Sequence, residues 1–155
     1  MPSGDDRAPT SPTPAPIRMA AGGFGILFVT LGVLGFVPGV TTEHDELRMA
    51  GRDSGAHLFG LFQVSVLHNV LHLGTGVAGL ALARTATLAH GYLIGAGTVY
   101  ALLWLWGVIV DADSSLNVIP LDHYGDRLHL GLAVGMIVLG VTLGRSRHAR
   151  SDDAA

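Results

Sequence analysis

The sequence predicts an all-α integral membrane protein, a four-helix bundle that runs up-down-up-down with both termini cytoplasmic. Three observations lead to this prediction: a high apolar content, four long uncharged segments, and an uneven distribution of arginine between the segments that connect them. Of the 155 residues, 49% are hydrophobic and 14% are charged, and the mean hydropathy is +0.48. Because soluble domains contain about 25% charged residues, this composition is typical of a membrane protein.

Four apolar segments can each cross a hydrocarbon core of about 30 Å as a helix that rises about 1.5 Å per residue. The predicted spans are residues 19–37, 58–83, 89–110 and 128–144, within a transmembrane domain of residues 18–144. The first is longer than the apolar core of about 7–15 residues in a cleaved signal peptide, which favours a span. Residues 1–17 are rich in proline and predict a disordered tail, and residues 145–155 form a second tail.

Arginine is concentrated on one side of the predicted bundle. The side that contains both termini holds six arginines, whereas the other side holds three arginines and eight acidic residues. Positively charged connecting segments remain in the cytoplasm during membrane insertion. Both termini and the connection after the second span are therefore predicted to be cytoplasmic, and the lipid bilayer is the expected partner.

Several classes of protein and site are excluded or left without support by the composition. The sequence has no cysteine, so it has neither disulfides nor thiolate metal ligands. An isoelectric point near 6.2 argues against a nucleic-acid partner. No nucleotide-binding loop, nucleophile elbow or metalloprotease motif occurs, so no catalytic residue is predicted and an enzyme is not favoured. No cofactor is required by these patterns, and a homo-oligomer is left open.

Histidines provide the clearest polar feature inside the predicted spans. His68 and His72 are four residues apart, which places them about 40° apart on one face of a helix. His129 lies in the fourth span. Counted from the arginines at the inner ends of their spans, Arg84 and Arg145, His68 and His129 are each sixteen residues away and should lie at one depth. The three histidines are therefore expected to converge near the outer side.

Two hypotheses account for these histidines. In the leading one, the protein is non-enzymatic, and a polar seam of His and Asn side chains packs helices two and four through interhelical hydrogen bonds. In the alternative, His68, His72 and His129 are candidate metal ligands of a redox or transport protein that binds a metal ion or a haem, because imidazole nitrogens suit zinc, copper and haem iron. Polar groups inside a membrane span are costly, which is why both hypotheses assign them a role.

Glycine pairs four residues apart predict places where helices cross closely, because small residues let backbones approach. These pairs are Gly35 and Gly39, Gly91 and Gly95, Gly131 and Gly135, and Gly140 and Gly144.

Three segments carry a resemblance to a known family. They are Leu58-Phe-Gly-Leu-Phe-Gln-Val-Ser-Val-Leu-His-Asn-Val-Leu-His-Leu73, then Gly97-Thr-Val-Tyr100, and Ile119-Pro120 leading to Leu128-His129-Leu130. Together they resemble a bacterial family of small four-helix membrane proteins, domain of unknown function 4383, over roughly residues 18 to 144. The resemblance implies a four-helix fold and a multi-pass protein of the bacterial cytoplasmic membrane. It implies no activity.

Overall fold

The computed structural model of the chain describes residues 16–110, 114, 116, 119, 120 and 122–152. Its four α-helices are α1 (Pro16–Leu34), α2 (Val66–Leu82), α3 (Ala86–Ile109) and α4 (His123–Asp152). Three two-residue strands, β1 (Thr41–Thr42), β2 (His57–Leu58) and β3 (Phe62–Gln63), lie between α1 and α2. The described fold is therefore mostly helical, with the predicted four helices, but it is not all-α. Residues 1–15 of the predicted disordered tail lie outside the described residues.

Three of the described helices are long and apolar enough to cross a membrane: α1, α3 and the His123–Gly144 part of α4. α2 is also apolar but has only 17 residues. It begins at Val66, whereas the predicted second span begins at residue 58. α4 begins at His123, five residues before the predicted fourth span, and its helix continues to Asp152, where the sequence predicted a tail.

The late start of α2 has a local cause. The Ser65 side chain accepts a hydrogen bond of 3.2 Å from the backbone N–H of His68, which caps the helix. The apolar residues before Ser65 form β2 and β3, which pair antiparallel, with β2 also antiparallel to β1. Phe59 and Gly60 adopt positive φ angles of 56° and 70° in the turn between β2 and β3, which ends any continuous helix there.

The helices pack as two antiparallel pairs, α1 with α2 and α3 with α4. Glycine makes the close approach possible in each pair. In the first pair, a Cβ atom on Gly32 would lie 2.7 Å from Leu73 Cγ. In the second pair, a Cβ atom on Gly97 would lie 2.8 Å from Ile137 Cγ1. Both distances are shorter than a van der Waals contact, so a larger residue would push the two helices apart.

The main core lies between these two pairs. Its buried members come from α1, α3 and α4, and α2 contributes the partly buried Ala78 and Leu82. Its largest buried members include Phe28 from α1, Leu93 and Tyr100 from α3, and Met136 from α4. A smaller cluster of Ala56, Leu58 and Val64 lies under the three strands. The end of the bundle that carries the strands and the α3–α4 connection is called the sheet end below.

Candidate metal centre

Two of the three candidate ligands are placed by the start of α2. The first amides of this helix cannot bond within the helix, and each is paired outside it. Val66 donates to the carbonyl of Arg48 at 3.0 Å and Leu67 to that of Met49 at 2.9 Å. His68 donates to the Ser65 side chain. This fixes His68 in the first turn of α2, with His72 one turn later. Their ring centroids are 4.5 Å apart, and the rings meet edge to face at 71°.

The third ligand reaches this pair from across the bundle. The His129 ring centroid lies 5.6 Å from that of His68 and 6.5 Å from that of His72. His68 and His129 therefore lie side by side, as the count along the two helices predicted. α2 and α4 themselves share few close backbone approaches. The sequence predicts these two helices as neighbours, but they face each other diagonally, and their histidine side chains meet across the bundle.

The three imidazoles are buried, with exposed fractions of 5% for His68, 3% for His72 and 2% for His129. Four of their ring nitrogens have no hydrogen-bond partner among the described residues: His68 Nδ1, His129 Nδ1 and both nitrogens of His72. Buried polar atoms are normally paired, because desolvation without a new hydrogen bond costs about 1–3 kcal/mol. A ligand that these nitrogens bind would remove this cost.

Asn69 follows His68 in the sequence but faces a different helix. It is fully buried, and its amide lies against Gly35 just beyond α1, where a Cβ atom would collide with it. Neither polar atom of this amide has a partner among the described residues. Because one residue turns a helix by about 100°, Asn69 lies at the α1–α2 contact. It does not take part in a contact between α2 and α4.

Aromatic side chains surround the histidines on the side away from the strands. The Tyr100 ring lies 5.4 Å from that of His129 and is stacked at 6.2 Å on that of His72. Phe28 lies 5.7 Å from His72 and 4.8 Å from Tyr100. Sequence reasoning did not assign Tyr100 or Phe28 to the site. Tyr100 belongs to the Gly97–Tyr100 segment that resembles the family, and this was the sequence feature that could have indicated its place beside the histidines.

Pro120, between α3 and α4, lies beside His68. The backbone of Pro120 lies within hydrogen-bonding reach of the His68 ring, and Pro120 is buried. Since proline has no N–H, only its carbonyl can pair with the ring, as an acceptor. The Nδ1 atom of His68 has no partner, so donation from the other ring nitrogen would leave Nδ1 with a lone pair free for a ligand.

The spacing of the three rings suits a single metal ion. One nitrogen from each of His68, His72 and His129 can be chosen so that all lie within 4.8 Å of one another. Three atoms so spaced lie at most about 2.8 Å from a common centre, compared with about 2.0–2.1 Å for a Zn–N bond. Metal binding therefore requires side-chain rotations that bring the three nitrogens closer together. A haem fits less well, because Phe28 and Tyr100 fill the space beside the rings.

One carboxylate lies close to the candidate centre on α4. Asp126 is one helical turn before His129 and packs against Gly107 of α3, where a Cβ atom would collide with its carboxylate. Its Oδ1 atom is buried and has no partner among the described residues. Asp126 does not join the group of ligand atoms formed by the three histidines. The described candidate centre therefore consists of imidazoles alone.

The comparison with known protein families agrees with the resemblance seen in the sequence. The family model of Domain of unknown function (DUF4383) matches residues 18–142, which include all three histidines and most of α4. No curated protein and no solved structure matches the chain at a significant level. The match covers most of the sequence, and the chain belongs to the DUF4383 family.

Proposed function

We propose that this chain is a multi-pass membrane protein that binds one transition-metal ion through His68, His72 and His129. The observation that carries the proposal is the convergence of three buried imidazoles whose nearest nitrogens lie within 4.8 Å of one another. Four nitrogens of these rings lack a partner among the described residues. A bound cation is the ligand that three imidazole lone pairs favour most.

The competing hypothesis, a polar seam that only packs the bundle, has less support. Such a seam stabilises helices by hydrogen bonds between its own members. Among the described residues, four of the six ring nitrogens of His68, His72 and His129 have no hydrogen-bond partner, and the ring of His68 pairs with the backbone of Pro120. Asn69 faces α1 instead of α4. Ring contacts alone would leave the imidazole nitrogens desolvated and unpaired.

The donor set indicates which ion the site suits. Three neutral imidazoles without a thiolate or a carboxylate suit borderline metals such as Zn²⁺ and Cu²⁺ better than Mg²⁺ or Ca²⁺, which prefer oxygen. Three protein ligands also leave one position of a tetrahedral site for water or another small ligand. We therefore propose a centre that keeps an exchangeable position, as expected for a redox or transport protein.

The proposed membrane arrangement has four crossings, with α2 as the short one, and cytoplasmic termini in a bacterial cytoplasmic membrane. It is supported by the excess of arginine on the side of the termini. Reporter fusions after Ala83 and after Gly144 should report a cytoplasmic location, and a fusion after Gly39 an external one. A cytoplasmic signal from the Gly39 fusion would overturn this arrangement.

The metal proposal is tested by equilibrating detergent-purified protein with Zn²⁺, removing unbound metal, and measuring the zinc content. Wild-type protein should retain about one ion per chain. His68→Ala, His72→Ala and His129→Ala should each bind far more weakly, because even loss of a supporting residue around a metal typically costs about 10–100-fold in affinity.

His123→Ala provides the matched control, since His123 is also on α4 but is exposed and lies six residues before His129. This variant should retain the wild-type zinc content. Equal zinc retention by wild type and by the variants of His68, His72 and His129, or no retention by wild type, would contradict the proposal.

A further inference from the structure

The turn between β2 and β3 exposes two large apolar side chains. Phe59 is 52% exposed and Leu61 is 48% exposed. Phe59 also has a φ angle of 56°, in a region that a bulky residue adopts only when its surroundings impose it. A smaller or polar residue would suit such a turn in water better. Phe59 therefore exposes an apolar side chain at a position where its backbone conformation is costly.

This turn and strand β3 precede α2, a helix that is short for a membrane crossing. The 17 residues of α2 rise by about 25 Å, about 5 Å less than a hydrocarbon core of about 30 Å. Any tilt of the helix increases the shortfall. If α2 belongs to a membrane crossing, residues that flank it supply the remaining length, either before Val66 or after Leu82.

A non-helical segment can enter lipid only if its backbone polar groups are already paired. The turn meets this condition for its amides. Phe59 donates to the carbonyl of Val40 at 2.9 Å, Gly60 to that of His57 at 3.1 Å, and Leu61 to that of Leu58 at 3.1 Å. The first amides of α2 are likewise paired by protein groups, as described above, so the amides of neither segment depend on water.

We infer that the turn of residues 59–61 inserts into the lipid leaflet at the sheet end and completes the crossing that α2 begins. The partner of this surface is the acyl-chain region of the bilayer. The apolar surface continues along α2, where Val70 and Leu71 are exposed. The inference rests on the proposed membrane arrangement but not on metal binding, because its observations are the turn, the length of α2 and the paired amides.

The absence of native cysteine permits a direct test with single spin labels. Phe59→Cys and Leu61→Cys are each labelled with a nitroxide and reconstituted in phosphatidylcholine vesicles with phosphatidylglycerol. Collision of the label with oxygen, which partitions into lipid, is compared with collision with a water-soluble nickel chelate. Val77→Cys on the exposed face of α2 serves as the lipid control, and Asp53→Cys, whose native side chain is exposed, serves as the water control.

Both turn labels should collide mainly with oxygen, as the Val77 label does, and the Asp53 label should collide mainly with nickel. The two turn positions provide independent variants, so loss of fold in one leaves the other informative. Nickel accessibility at both turn positions equal to that at Asp53 would overturn the inference. Protection from both reagents would also overturn it, because the turn would then be covered by protein, such as a second copy of the chain.

Discussion

The helix pairs and the centre of the bundle are built in opposite ways. Within each pair, glycines bring backbones into contact; for example, a Cβ atom on Gly76 would lie 2.5 Å from the backbone nitrogen of Val29. In the centre, large rings of His72, His129 and Tyr100 fill the space that remains between the pairs. Close packing within each pair therefore leaves room for polar side chains between the two pairs.

The two regions also differ in how their unpartnered polar atoms are arranged: in the pair contacts they belong to single side chains, Asn69 between α1 and α2 and Asp126 between α3 and α4, whereas in the centre they converge. The pair contacts involve mostly apolar groups and backbone, and they leave little volume for a ligand. The three histidines of the centre are buried, yet four of their nitrogens lack partners among the described residues. Substitutions in the pairs should therefore act on stability, whereas substitutions in the centre should act on ligand binding as well.

The largest effect is expected for Gly76→Ala in the α1–α2 contact. The added Cβ meets backbone atoms of Val29 and Gly25, which cannot move without separating the helices. Such overpacking typically costs about 1–3 kcal/mol and occasionally more. The free energy of unfolding in detergent or bicelles should fall by at least this amount.

Gly74→Ala is the matched control for that substitution. Gly74 is on the same helix, but a Cβ atom there would have no other atom within 4 Å. Since alanine favours helix over glycine by up to about 1 kcal/mol in water, this variant should be neutral or slightly stabilised. An equal loss of stability in both variants would show that the glycines do not set the contact between α1 and α2.

The sequence could predict four helices because apolar length is a property of the chain alone. It could not predict which glycines meet another helix. Gly91, Gly95 and Gly131 belonged to predicted crossing pairs, yet a Cβ atom on any of them would meet nothing within 4 Å. Spacing identifies a common face of one helix but does not determine what that face contacts.

The start of the second helix shows a similar limit. An apolar hairpin and an apolar helix have the same composition, so the sequence predicts a span that starts at residue 58. Ser65 was an available signal, because serine before an apolar run is a common N-cap. The structure uses it in this way, with α2 beginning at the next residue.

The three histidines were predictable because helix periodicity and helix rise fix their face and depth. Phe28 and Pro120 were not, because their places depend on how separate segments pack. Tyr100 was visible only through the family motif. The convergence of the three histidines could thus be predicted from sequence, but the residues around them could not.

An intermediate effect is expected for the contact between His68 and His129 in metal-free protein. Each single substitution to alanine should destabilise the bundle by roughly 0.5–2 kcal/mol, because ring contacts are lost at the centre. The double substitution should cost less than the sum, since the rings lie 5.6 Å apart and share that contact. A double-mutant cycle on reversible unfolding measures this coupling.

His90 on α3 supplies the control for the cycle, because it packs beside Gly144 at the opposite end of α4. The cycle of His90 with His129 should be additive within about 0.3–0.5 kcal/mol. Additivity in the cycle of His68 with His129 as well would argue against their contact.

The smallest effect is expected for Tyr100→Phe. The hydroxyl of Tyr100 lies within hydrogen-bonding reach of the Thr75 side chain, and such bonds contribute about 0.6 kcal/mol on average in membrane proteins. The variant should lose about this much stability and keep its zinc affinity, because Tyr100 is not one of the proposed ligands. Zinc titration together with unfolding separates the two effects, and a large loss of affinity would place the hydroxyl on the metal.

The central claim is that three imidazoles bind one ion between the helix pairs. X-ray absorption spectroscopy of the zinc-loaded protein measures the number and type of ligands directly. It should report three histidine nitrogens at about 2.0–2.1 Å and one further light atom, and His129→Ala should leave at most two histidines on any residual zinc. A wild-type spectrum with one histidine or none would contradict the account.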